Sequence, residues 1–106
     1  GPQSISSVSK VKFLPGMIIS NEPGYYKANA YGIRIENLIT VRKLGNKYEF
    51  ENLTLAPIDK KLIEVSLLTT NEISWLNTYH KLVYSKLNKY LKPKEKIWLK
   101  AECSNL

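Results

Sequence analysis

Apolar residues follow two different periods along the chain. Between residues 11 and 58 they fall in short runs broken by turn residues, and from residue 70 onwards they recur at three- and four-residue steps. The first pattern predicts strands and the second predicts helices. Met17 to Glu22 is a short, mostly apolar strand, and Pro23-Gly24 after it predicts a turn. Gly32 to Val41 is rich in β-branched residues and predicts a second strand. Alternation puts Ile33, Ile35, Ile39 and Val41 on one face of it, and Arg34, Glu36, Leu38 and Thr40 on the other. In the first strand Ile18, Ser20 and Glu22 share a face. Leu44-Gly45-Asn46-Lys47 predicts a tight turn into a third strand through Tyr48 and Phe50 toward Leu53. Upstream, residues 3–10 read as a polar loop, and Val11 to Leu14 predicts a short strand before a Pro15-Gly16 turn.

Residues 53–58 (LTLAPI) are apolar up to Pro57, which suits a sheet edge. Leu62, Ile63 and Val65 predict a short extended or turn segment. Thr69 and Glu72 have the spacing of a capping box, so a helix is expected from about residue 70 to 91. Trp75, Leu76, Tyr79, Leu82, Val83, Leu87 and Leu91 form its apolar stripe, with Trp75 expected to pack against the sheet and the lysines to face water. Pro93 can open a second helix at its first turn, and Ile97, Trp98 and Ala101 are expected on its buried side. The fold class that follows is α+β: a curved antiparallel sheet of three or four strands, then one long and one short helix.

Composition narrows the partners. The chain has 106 residues and a net charge of +7, and residues 81–100 hold seven lysines and one glutamate. A basic helix can contact nucleic acid, membrane or acidic protein, but no nucleic-acid motif accompanies it. A solvated lysine face is the simpler reading, so no nucleic-acid partner is expected. No apolar run is long enough to cross a membrane. Residues 1–10 carry no apolar core of a signal peptide. The single cysteine, Cys103, fits a reducing compartment, and a cytoplasmic location is expected. His80, the one histidine, falls on the predicted helix, where a packing or surface role is expected rather than metal ligation. Cys103 has no visible partner for thiol chemistry.

The chemistry concentrates in two carboxylates. If the first two strands pair about Asn29, Glu22 and Glu36 lie opposite each other on one face. Carboxylates in that position repel, and something positive has to lie between them. Arg34 is one candidate and a cation is the other. The plainer alternative is two surface glutamates neutralised by Arg34 and a lysine.

The segment NEPGYY followed by YGIRIEN, with fourteen positions from Glu22 to Glu36, resembles the metal-binding end of aminopeptidase P, the Xaa-Pro aminopeptidases of the pita-bread superfamily. Gly1-Pro2 is similar to the end of the family's HEGP motif, and Leu14-Pro15-Gly16-Met17 to its segment ending in Gly-Met. LTLAPIDKKLI and WLNTYHKLV resemble the C-terminal extension of the larger members. The resemblance implies that residues 1–58 form the C-terminal part of the pita-bread metallopeptidase domain and residues 59–106 a helical extension. It implies that Glu22 and Glu36 are two of the family's five metal ligands, with Glu36 shared between two divalent ions. Mn²⁺ suits such oxygen-rich ligation, although Co²⁺, Fe²⁺ or Zn²⁺ also fit. Arg34 would then support the site by holding carboxylates in place, and Tyr26 would sit near substrate and ligands. Tyr25 reads as turn packing, and Asn21 and Asn37 as local hydrogen-bonding residues.

The implied substrate is a peptide with proline at its second position. The remaining ligands of the family, two aspartates and a histidine, would precede Gly1, so this chain alone is expected to be inactive and to hold no metal tightly. Its open strand edges leave room for pairing with a second copy as a homodimer. Two alternatives stand beside this reading: a non-catalytic pita-bread remnant kept for interaction, and a small basic binding module.

Overall fold

The computed structural model describes residues 3–106; the Gly1-Pro2 match to HEGP lies outside them. The fold class is α+β. The chain divides into two compact units, residues 1–54 and 55–106.

The first unit holds the strands. β1 (Ile18–Asn21), β4 (Asn37–Leu44) and β5 (Lys47–Asn52) form an antiparallel sheet in the order β1-β4-β5, and β2 (Gly24–Lys27) pairs with β3 (Tyr31–Arg34) in a separate two-stranded ladder. The sheet buries Ile19, Ile39 and Val41 on one face, with Phe13 and Met17 packed against them. Its edge is tied by Arg42, which donates to its cross-strand partner Glu49 and lies 3.7 Å from Glu51.

Two turns form as expected. Gly16 takes φ +85° after Pro15, and the Met17 N–H donates to the Leu14 carbonyl at 3.1 Å, the arrangement of a type II turn. Gly45 takes φ +58° between β4 and β5. Three expectations fail. Val11 to Leu14 is irregular rather than a strand. Pro23-Gly24 is not a reversal: the chain runs on in the same sense, and Gly24 opens β2. Instead the chain reverses at residues 27–30, where Asn29 takes φ +55° and the Ala30 N–H donates to the Lys27 carbonyl at 3.1 Å. The expected strand from Gly32 to Val41 is likewise two strands, broken at Ile35 and Glu36. Ile33 and Ile35 keep the alternate row of Ile39 and Val41, as expected, but lie beyond the three-stranded sheet and are exposed.

The second unit is helical. Residues 53–59 leave the sheet, and the expected extended segment is two short 3₁₀ turns at Lys60–Leu62 and Val65–Leu67. α1 (Thr70–Leu87) begins at the capping box, in which Thr69 Oγ1 accepts from the Glu72 N–H at 3.2 Å and Glu72 Oε2 accepts from the Thr69 N–H at 2.9 Å. It ends earlier than expected. Asn88 turns its side chain back onto the Tyr84 and Ser85 carbonyls, and a 3₁₀ turn follows at Asn88–Tyr90.

α2 (Pro93–Glu102) starts at Pro93 as expected. The core is Tyr79, Val83, Leu99 and Cys103, with Leu55, Ile58, Tyr84, Leu87 and Leu91 packed against it. α2 therefore turns Leu99 inward, while Ile97 and Trp98 stay 72% and 57% exposed. Trp75, expected against the sheet, is 51% exposed and stacks on Tyr79 with ring centroids 5.4 Å apart. The inward stripe of α1 is centred on Tyr79 and Val83 because their faces meet Leu99 of α2 and Cys103 just past its end.

Candidate metal centre

The two ladders share one register. β1 and β4 pair through Asn21 and Asn37, and the β2–β3 ladder starts at the pair Gly24 and Arg34. Both are symmetric about Asn29, and Glu22 and Glu36 are opposite partners in the gap between them. Pro23 offers no N–H there, and its carbonyl accepts from the Ile35 N–H at 3.2 Å, which holds the two segments side by side across the gap.

Core packing decides which face the carboxylates occupy. Burying Ile19 against its partner Ile39 fixes the register, because a slip of one residue would turn that apolar pair out to water. The alternate positions then form an open face, where Ile18 pairs with Thr40 and Ser20 with Leu38. Glu22 and Glu36 continue this row, followed by Gly24 with Arg34 and Tyr26 with Gly32. Arg34 Nε lies 3.5 Å from Glu36 Oε2, with the two side chains 51% and 44% exposed. At that exposure the pair is worth ~0–1 kcal/mol. Tyr26 stands on the same face. Tyr25 points the other way and meets Tyr31 at 6.1 Å, which agrees with a packing role. Asn37 donates to Asn52 of β5 at 3.4 Å, a cross-strand contact rather than the local one expected. An open groove of about 560 Å³ runs beside Glu22, lined by residues 3–5 and 18–23.

Two exposed carboxylates, opposite in register, suit hard divalent cations, which prefer oxygen donors. Among the described residues no group of three or more His, Cys, Asp or Glu gathers to hold an ion.

The histidine and the cysteine belong to the other unit. His80 is fully buried, and its Nε2 accepts from the Ile58 N–H at 3.0 Å. Burial, reinforced by the charge of Lys60, holds its pKa below the ordinary imidazole value. It is a neutral packing residue, as the sequence suggested. Burial likewise pushes the Cys103 thiol up. Lys60 itself caps the end of α2, donating to the Ala101 and Ser104 carbonyls at 3.0 and 3.1 Å, a contact that no local sequence signal announced.

Comparison with known proteins gives this α+β chain, with its carboxylate pair on an open sheet face, a family. The model of metallopeptidase family M24 matches residues 1–43, and that of the C-terminal region of peptidase M24 matches residues 46–106. A probable Xaa-Pro aminopeptidase P of Botryotinia fuckeliana is 43% identical over 108 residues, which cover 92% of this chain and 16% of the relative. Aminopeptidase P2 of Arabidopsis thaliana is 46% identical over 101 residues, covering 86% and 14%. The crystal structure of X-prolyl aminopeptidase from Caenorhabditis elegans, described as a cytosolic enzyme with a di-nuclear active site, superposes with a TM-score of 0.75 at 33% identity, covering 89% of this chain and 17% of that one. The chain belongs to metallopeptidase family M24, and it spans about a sixth of the length of the curated relatives it matches.

Proposed function

We propose that this chain supplies the C-terminal part of a Xaa-Pro aminopeptidase, a hydrolase that releases an N-terminal residue preceding proline. The observation that carries the proposal is the register: it makes Glu22 and Glu36 partners on an open face, within a chain whose relatives are Xaa-Pro aminopeptidases. Glu22 and Glu36 are two of the ligands of a divalent metal pair, with Mn²⁺ the ion that suits them best. Such a pair, when bound, supplies Lewis-acid activation of water and of the scissile carbonyl. Arg34 holds the Glu36 carboxylate in one orientation through the 3.5 Å contact. Tyr26 lines the same face, where its phenol can donate a hydrogen bond to substrate or ligand. The lysine-rich α2 surface stays solvated, and peptides rather than nucleic acids or membranes are the partners. The location is cytoplasmic, like that of the C. elegans relative. The outer strand edges leave a homodimer open to the assembled enzyme.

The reading frame before Gly1 tests this. It should encode two aspartates, a histidine and a His-Glu pair immediately upstream of Gly1-Pro2. In that longer protein Glu36→Gln should lower bound metal and abolish cleavage of a proline-containing peptide while leaving circular dichroism unchanged. An upstream frame without those ligands would favour the non-catalytic remnant, and full activity of Glu36→Gln would remove the site.

A further inference from the structure

Gly24 and Gly32 have no conformational reason to be glycine. Neither takes a positive φ, both sit in strand, and glycine weakens a strand. What each lacks is room for a side chain. A Cβ at Gly32 would lie 2.6 Å from Cδ1 and 3.0 Å from Cε1 of Tyr26. A Cβ at Gly24 would lie 2.8 Å from the Tyr26 hydroxyl oxygen, 2.9 Å from Cε2 and 3.0 Å from Cζ. Tyr26 is the register partner of Gly32, and Gly24 is two residues before it on the same face. The near edge of the ring thus lies over Gly32 and its hydroxyl end over Gly24.

We infer that Gly24 and Gly32 are positioning residues: they form a flat bed that holds the Tyr26 ring down on the open face, with its hydroxyl directed toward Glu22 and Glu36. The direction follows from the register. Beyond Gly24 and its partner Arg34, the next same-face positions are Glu22 and Glu36, about 6.6 Å further along the strands. Tyr26 is 65% exposed, so the surrounding core does not set its orientation. The ring rests on backbone that two missing side chains leave bare. An alanine at either position would lift it from the face while the strands themselves tolerate alanine at least as well as glycine. The consequence for catalysis rests on the aminopeptidase reading; the bed does not.

Proton NMR of the chain tests the bed without any activity. The Hα protons of Gly24 and Gly32 should be shifted upfield by the Tyr26 ring current, with nuclear Overhauser contacts from the ring to both. Tyr26→Leu should return them downfield, and Tyr25→Leu should leave them in place. Gly32→Ala should keep the sheet and lose the contact between Tyr26 and Gly24. Unshifted glycine protons without ring contacts, or an unchanged Tyr26–Gly24 contact in Gly32→Ala, would overturn the bed. In the longer aminopeptidase Gly32→Ala should lower kcat by roughly 10- to 100-fold through misplacement of the phenol, with KM and metal content unchanged. Full kcat there would overturn the positioning role. A longer protein that cleaves no proline peptide would instead remove the aminopeptidase reading and leave the NMR result to decide the bed.

Discussion

Two residues of α2, two positions apart, separate the inward side of this helix from its outward side. Leu99 is 2% exposed inside the Tyr79, Val83, Leu99 and Cys103 cluster, whereas Ile97 is 72% exposed. Leu99→Ala removes a buried side chain and leaves a cavity among packed neighbours, at a cost of about 2–5 kcal/mol. At 0.05–0.15 kcal/mol per residue, a unit the size of residues 55–106 has only about 3–8 kcal/mol of stability, so this one change removes a large part of it. Ile97→Ala deletes the same kind of apolar group where less than a third of it is covered. A fully buried Ile is worth about 1.5–3 kcal/mol, so the loss here is under ~1 kcal/mol. The higher helix propensity of alanine returns a few tenths of that, about 0.4 kcal/mol. Urea unfolding followed by the helical circular dichroism signal reads both variants, with equal m-values expected. If Ile97→Ala lowered the midpoint as far as Leu99→Ala, α2 would be rotated about its axis relative to the packing described here.

Thr69→Ala should cost about 0.5–2 kcal/mol, because it removes the hydroxyl that accepts from the Glu72 N–H at the start of α1, and the same urea titration measures it. His80 gives a pH dependence. Its folded pKa is depressed by burial, so the unfolded chain binds the proton more readily, and the stability owed to neutral His80 is present above the ordinary imidazole pKa of about 6.5 and lost as pH falls below it. The urea midpoint should drop over that window and drop less in His80→Gln; a flat profile in the parent chain would refute this. Calorimetry of the chain with Mn²⁺ should show weak binding at most, and a proline-peptide assay no turnover; tight stoichiometric binding would mean that the ligand set lies within these residues.

The hairpin centre was legible in the sequence because alternation and the spacing of the two glutamates both pointed to Asn29, and the ladders are symmetric about that residue. The capping box and Pro93 were legible because they are local hydrogen-bonding and steric rules. The break between the ladders was not. Pro23-Gly24 has turn composition, yet turn residues also serve where a strand loses a pairing partner without reversing. The inward side of α2 was missed for a different reason. Ile97, Trp98 and Ala101 form an apolar set on sequence grounds, but Leu99 and Cys103 form another at a four-residue step, and only the position of Tyr79 and Val83 selects between them. His80 carried no signal of its burial, since its partner is the backbone of Ile58, twenty-two residues away.

The gap between the ladders ties the fold to the proposed chemistry and permits a last test. Opposed residues in an antiparallel pair have Cβ atoms about 4.5–5.5 Å apart, and two carboxylates near 4 Å repel by ~1 kcal/mol in water and by ~4 kcal/mol at an effective dielectric constant of 20. Both glutamates are exposed and Arg34 offsets part of the charge on Glu36, so the lower figure applies here. Replacing Glu36 would also remove the Arg34 contact, which makes Glu22 the cleaner position to change. Without divalent ions, Glu22→Gln should raise the stability of the first unit by up to ~1 kcal/mol, and added salt should shrink the gain as screening replaces the substitution. A pair kept only for structure has no reason to tolerate such repulsion, whereas a pair kept for a cation does. If Glu22→Gln destabilised the chain in chelator, the two carboxylates would be contributing to the fold, and the argument that they are held in place for a metal would fail.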